Sequence, residues 1–181
     1  MISFDNMPPE VMQAMCTPMH EVLSPSSVPG FQNSGALYIG SFAAVQDKHM
    51  LHENRITHLV QVLDAPWLPA SEKEGFSTHN IRIDDAVTVD IRPHLEAACN
   101  YIDTTLRSGR NCLVHCQQGI SRSAAVILAY LIRNRGMTFE SAHAYLKRKR
   151  ACIKPNSAFV QALQEWEAAS RRPSIARRFT S

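Results

Sequence analysis

A cysteine and an arginine stand six positions apart in the run Val114-His115-Cys116-Gln117-Gln118-Gly119-Ile120-Ser121-Arg122-Ser123. A histidine precedes the cysteine, a glycine lies between the pair, and a serine follows the arginine. The apolar run Cys112-Leu113-Val114 reads as a strand leading in, and Ala124 to Ile132 reads as a helix leading out. Strand, tight loop and helix together gather unpaired backbone N–H groups at a helix N-terminus, where the dipole is positive, and that geometry holds an oxyanion. A cysteine at the base of such a loop sits in the same positive field, which stabilises its thiolate. The arginine presents a planar fork of donors that suits a tetrahedral dianion. A thiolate facing a bound phosphate is a nucleophile for phosphoryl transfer.

The elements that must hold this loop follow from periodicity and breakers. Ala36 to Gly40 reads as a short strand, and Ser41 is placed to cap a helix from Ala43 to Glu53. Ile56 to Leu63 is a β-branched, buried strand; Asp64 to Gly75 carries two prolines and reads as a loop. Thr78 to Ile83 alternates as a strand, and Asp84 to Asp90 is a loop. Pro93 suits the first turn of a helix to Arg107 with the stripe Leu95, Ala98, Cys99, Ile102 and Leu106. After the Cys116 loop come helices over Arg122 to Arg135, stopped by Gly136, then Thr138 to Lys149, and Asn156 to Ser170. This alternation predicts an α/β domain: a central, mostly parallel sheet flanked by helices, with the loop between a strand and a helix. Ligands bind beyond the carboxyl ends of such strands, where this loop falls. Ahead of it, Val11, Met12, Met15, Met19 and Val22 fall at helical spacing and predict a short amphipathic helix interrupted by Pro18. Ser24 to Gly30 reads as a linker. The expected division is an N-terminal extension over 1–34, the catalytic domain over 35–170, and a basic, disordered tail over 171–181.

The chain has 181 residues, 45% of them apolar, which suits one domain with a real core. Five cysteines at irregular spacing fit a reducing compartment, cytosol or nucleus, rather than a disulfide framework. No basic region followed by an apolar run opens the chain, so no secretory signal is expected. No apolar stretch reaches membrane-spanning length. A net charge of +3 does not point to general nucleic-acid binding. The basic clusters Lys147-Arg148-Lys149-Arg150 and Arg171-Arg172 with Arg177-Arg178 read as solvated faces. Arg171-Arg172-Pro173-Ser174 matches the taste of basophilic kinases, making Ser174 a candidate phosphorylation site. His49, His52 and His58 lack metal-ligand companions, so neither a metal nor another cofactor is expected.

The Cys116 loop resembles the phosphate loop of the cysteine-based protein tyrosine phosphatase superfamily, written His-Cys-x5-Arg-Ser/Thr. From about Gly35 to Glu167 the chain is similar to a small dual-specificity phosphatase. The matching pieces are Leu37-Tyr38-Ile39-Gly40-Ser41, Ile56-Thr57-His58-Leu59-Val60, Tyr101-Ile102-Asp103, Ser121-Arg122-Ser123-Ala124, Ala129-Tyr130-Leu131 and Lys154-Pro155-Asn156 followed by Phe159. No long docking domain is expected ahead of the catalytic unit, and a chain this short leaves little room for a tyrosine-recognition loop. The resemblance is therefore to an atypical, stand-alone member, with a shallow pocket open to phosphotyrosine, phosphoserine and phosphothreonine on proteins.

What the resemblance implies for single residues follows the loop. Cys116 would be the nucleophile, and Arg122 would bind two phosphoryl oxygens. Ser123 would hydrogen-bond the sulfur and help it leave. Backbone amides of Gln117, Gln118, Gly119, Ile120, Ser121 and Arg122 would cradle the phosphate, and His115 would hold the thiolate by ordering the loop. A general acid must protonate the leaving oxygen. Asp84 and Asp85 both qualify by type and place, and the family's spacing back from Tyr101-Ile102-Asp103 selects Asp85. Asp64 and Asp90 are weaker candidates, Asp90 suiting a helix cap. Asn156 either supports the phosphate loop or caps a helix. Cys99 and Cys112 read as inert core thiols, although either would form a disulfide with Cys116 if the fold brought them together. Two alternatives stand beside the protein phosphatase. One is a module that captures phosphoproteins without turnover, whose relatives lose a loop residue; here Cys116, Arg122 and Ser123 are all present. The other is a phosphatase for phosphoinositide, RNA or glycan phosphate, which usually calls for lysine or histidine inside the loop; Gln117, Gln118, Ile120 and Ser121 are uncharged.

Overall fold

The computed structural model describes residues 7–9, 11, 17–66, 68, 70 and 72–172. Its strands are Met19–Leu23 (β1), Leu37–Gly40 (β2), Ile56–Val62 (β3), Ser77–Ile81 (β4) and Asn111–His115 (β5). Its helices are Phe42–Gln46 (α1), Lys48–Glu53 (α2), Arg92–Arg107 (α3), Arg122–Arg135 (α4), Phe139–Lys149 (α5) and Ser157–Ser170 (α6). The five strands form one sheet in the order β1-β2-β5-β3-β4. Pairings β2–β5, β5–β3 and β3–β4 are parallel, and β1 joins the edge antiparallel to β2.

The central strands are apolar on both faces because helices cover both. Alternate residues go to opposite layers, as the strand period of two requires. Leu37, Ile39, Val60, Val62, Cys112 and Val114 face the layer that holds α3, α4, α5 and α6. Tyr38, Leu59 and Leu113 face α1 and α2. Helix α4 is buried from Ser123 to Ile132, ten residues without a solvent face. An all-apolar helix is stable only inside a core, and its seat beneath the sheet centre fixes the Cys116 loop at the end of β5. Gly136 closes α4 in the left-handed region at φ +67°, where its N–H reaches Leu131 O.

Four expectations are corrected. Met19 and Val22, assigned to an amphipathic helix, lie in strand β1; the rest of that segment falls largely outside the described residues. Pairing with the open edge of β2 satisfies backbone groups that a helix there would leave exposed. The expected linker is ordered: Val28 is 5% exposed and its N–H donates to Ser34 Oγ at 3.1 Å. Strand β1 thus joins the sheet from ahead of Gly35. The single helix over Ala43 to Glu53 is two short ones, broken at Asp47, whose carboxylate caps Met50 N at 3.0 Å, while Ser41 makes no capping bond. Finally, Arg150, placed with the solvated cluster, is fully buried. Residues 173–181, including Ser174, lie outside the described residues. Among the described residues no helix is long and apolar enough to cross a membrane.

Candidate active site

The loop between β5 and α4 is shaped from outside by its carbonyls. Gln117 O accepts from Phe42 N at 3.0 Å and Ile120 O from Lys154 N at 2.8 Å. Gln118 O and Gly119 O accept from the Arg150 guanidinium at 3.2 and 2.8 Å. In a trans peptide the carbonyl and the next N–H point opposite ways. Four outward carbonyls therefore turn the N–H groups of Gln118, Gly119, Ile120 and Ser121 inward. Gly119 N–H meets Cys116 Sγ at 3.2 Å. Only glycine fits at 119: φ is +67°, and a Cβ would lie 2.7 Å from Gly40 O and 2.8 Å from Arg150 Nη2.

Cys116 is 2% exposed, and its Sγ lies 3.2 Å from the hydroxyl of the fully buried Ser123. Ser123 lies in the first turn of α4, so the sulfur meets the helix start, where free N–H groups and the helix dipole favour negative charge. Ser121 occupies the cap position of α4 yet makes no capping bond. Its hydroxyl donates instead to Asp85 Oδ1 at 2.7 Å, leaving the helix donors for a ligand. Arg122 anchors itself through Nη1 to Ile83 O at 3.1 Å, while its buried Nε has no protein partner. A buried guanidinium N–H without an acceptor is a donor held ready for an anion.

His115 does not face the ligand side. It is fully buried, and its Nε2 lies 2.9 Å from Gln61 Oε1. The Gln61 amide nitrogen donates to Asn80 Oδ1 at 3.1 Å and Ala70 O at 3.4 Å, so its oxygen accepts and His115 Nε2 carries the proton. Burial pushes the His115 pKa down to about 4. The ring is therefore neutral near pH 7 and acts by fixing the strand end rather than by charge. Unfolded histidine has a pKa of about 6.5, so between about 6.5 and 4 the unfolded chain binds more protons than the folded one. Stability from this residue is complete above pH 6.5 and lost as pH falls toward 4, on the order of a few kcal/mol. His115→Asn is expected to flatten that part of a urea-unfolding pH series; an unchanged slope would reject the assignment.

Of the two adjacent aspartates, the structure joins Asp85 to the loop. Its Oδ1 accepts from Ser121 Oγ and, at 2.8 Å, from Asn156 Nδ2. Asp84 is exposed and outside this network. Both readings of Asn156 hold at once: Oδ1 caps α6 at Phe159 N, 3.0 Å away, while its backbone N–H donates to Ser121 Oγ at 3.0 Å. Asp90 lies one residue ahead of Ile91, the N-cap of α3, and accepts from Arg92 N at 3.0 Å. Cys99 and Cys112 are fully buried free thiols, and burial pushes both pKa values up, that of Cys99 to about 12.

Sequence reasoning missed Gln61, Asn80 and Arg150. Gln61 had a signal: a lone polar residue inside an otherwise apolar strand needs a buried partner. Arg150 had one too, since it continues the inward row Ala142, Leu146 at a spacing of four. The basic residues around it hid that register.

The family model described as "Dual specificity phosphatase, catalytic domain" matches residues 37–169. A dual specificity protein phosphatase 1 of Arabidopsis thaliana is 33% identical over 141 residues, covering 78% of this chain and 70% of that protein. The human protein phosphatase Slingshot homolog 1 is 40% identical over 92 residues, covering 51% of this chain and 9% of that much longer protein. The crystal structure of human DUSP28 superposes with a TM-score of 0.74 at 31% identity, covering 84% of this chain and 95% of that one.

Proposed function

The chain belongs to the dual-specificity phosphatase family and is a protein phosphatase, and from that premise we propose the role of each residue at its site. The Cys116 thiolate attacks phosphorus, and the ester P–O bond breaks as the leaving oxygen takes a proton from Asp85. The inward amides and Arg122 hold the three non-bridging oxygens through the transition state. Water then attacks the phosphocysteine. The Asp85 carboxylate takes its proton, the S–P bond breaks, and inorganic phosphate leaves with the thiolate restored. The observation that carries this reading is Cys116 Sγ set against Gly119 N–H and Ser123 Oγ, with Asp85 tied across the loop through Ser121.

Substrates are phosphotyrosine, phosphoserine and phosphothreonine on proteins. Supporting this, the groove beside the loop is lined by Ser41, Phe42, Gln46, Gln117, Gln118 and Ile120, with no charged side chain to hold a multiply phosphorylated headgroup. Turnover of the three phosphopeptide classes, measured beside a soluble phosphoinositide and a 5′-phosphorylated RNA, tests the choice. Peptides are expected to show the highest kcat/KM; a headgroup or RNA hydrolysed faster would overturn it. A reducing compartment belongs to the same proposal, because a nucleophilic thiolate is lost on oxidation.

The serine that follows Arg122 has its own signature. Ser123→Ala is expected to slow phosphocysteine hydrolysis more than its formation, because the hydroxyl 3.2 Å from sulfur stabilises the departing thiolate. Rapid quench then shows a burst of aryl alcohol and accumulated phosphoenzyme. No burst together with a wild-type steady-state rate would leave Ser123 a plain helix-start residue.

A further inference from the structure

The mechanism leaves unused the largest fully buried side chain among the described residues, that of Arg150 at the end of α5. All three of its nitrogens donate. Nε reaches Gly119 O at 2.8 Å and Nη2 reaches Gln118 O at 3.2 Å. Nη1 reaches Thr17 O at 2.9 Å and His20 Nδ1 at 2.8 Å. A guanidinium has no acceptor, so His20 accepts and is neutral here, and burial and the Arg150 charge both lower its pKa. Among the described residues Arg150 makes no ion pair with a carboxylate, and burial works against its charge.

A buried cation without a carboxylate is costly, and a fold keeps one only where something else compensates it. Here the compensation is the back of the phosphate loop. Two of the four outward carbonyls depend on this one side chain, and each of them aims the next N–H inward. The remaining two are held by backbone amides of Phe42 and Lys154, which no side-chain substitution removes.

We propose that Arg150 is a positioning residue of the phosphate loop: it holds the Gln118 and Gly119 carbonyls outward so that the Gly119 and Ile120 N–H groups face the phosphoryl oxygens. Through Thr17 and His20 the same side chain also fastens the β1 edge of the sheet to the loop. This rests on Cys116 being the nucleophile.

The test uses R150M and R150K in the full chain, with thermal melts to establish folding. Hydrolysis of p-nitrophenyl phosphate reads kcat and KM, and calorimetric titration with inorganic phosphate reads the loop's hold on the anion. In folded R150M, kcat and phosphate affinity are each expected to fall about tenfold or more. In R150K the charge remains but the fork is lost, so both stay low. A folded R150M with wild-type kcat and wild-type phosphate affinity would overturn the proposal and leave Arg150 a staple of the fold. If R150M does not fold, R150K decides: lowered kcat and phosphate affinity in a folded protein support positioning, and wild-type values refute it. A wild-type enzyme whose Cys116 shows no selective alkylation by iodoacetamide would instead sink the nucleophile assignment, separately from Arg150.

Discussion

Cys116→Ser is expected to abolish turnover, a loss on the order of 10⁴-fold or more, while the protein still binds inorganic phosphate. The two halves of this result have different causes. Turnover needs a thiolate at the focus of the loop, and a serine hydroxyl does not ionise in a field that suffices for a thiol. Binding needs the inward amides, the start of α4 and the Arg122 fork, none of which belongs to the sulfur. Arg122 keeps its anchor on Ile83 O and its unpartnered Nε, and the outward carbonyls keep theirs on Phe42, Arg150 and Lys154. Calorimetric titration with phosphate beside a p-nitrophenyl phosphate assay checks both. Turnover near the wild-type rate would remove Cys116 from the chemistry. Lost phosphate affinity in a folded protein would mean that the sulfur, not the loop, holds the anion site together.

Asp85→Asn should lower kcat on phosphopeptides by about 10²–10⁴-fold, the usual range for general acid catalysis. The asparagine keeps an oxygen for Ser121 Oγ and Asn156 Nδ2, so the loop network survives and the loss reports the proton rather than the position. An aryl ester with a good leaving group needs less protonation and should suffer less. Asp84→Asn, altering an exposed residue outside the network, should cost far less. If Asp84→Asn causes the greater loss, the general acid is the other member of the pair.

Local chemistry carried most of this reading. The order strand, Cys116 loop, helix was legible because apolar periodicity and the stop at Gly136 are properties of neighbouring residues. The burial of Leu95, Ala98, Cys99, Ile102 and Leu106 along α3 follows from one helical stripe. Cys116 and Arg122 declared themselves by spacing, since a seven-residue run at a strand–helix junction can be assembled locally, whereas the role of Ser123 came from the resemblance. The choice of Asp85 over Asp84 leaned on a resemblance, for the two are identical in type and adjacent.

Tertiary structure decided what local spacing could not. Residues at Met19 and Val22 carry a pattern compatible with a helix, and the unpaired edge of β2 turned them into a strand. Asp85 meets Ser121 and Asn156 across 36 and 71 positions of chain. Arg150 meets Gly119 across 31 positions and Thr17 across 133. The sequence by itself determined which residues are proposed for the chemistry, because a loop and the helix after it organise their own donors within one turn. Only the tertiary structure determined what holds them, because a buried charge is tolerated where the whole fold brings carbonyls to meet it, and no short-range pattern encodes that meeting.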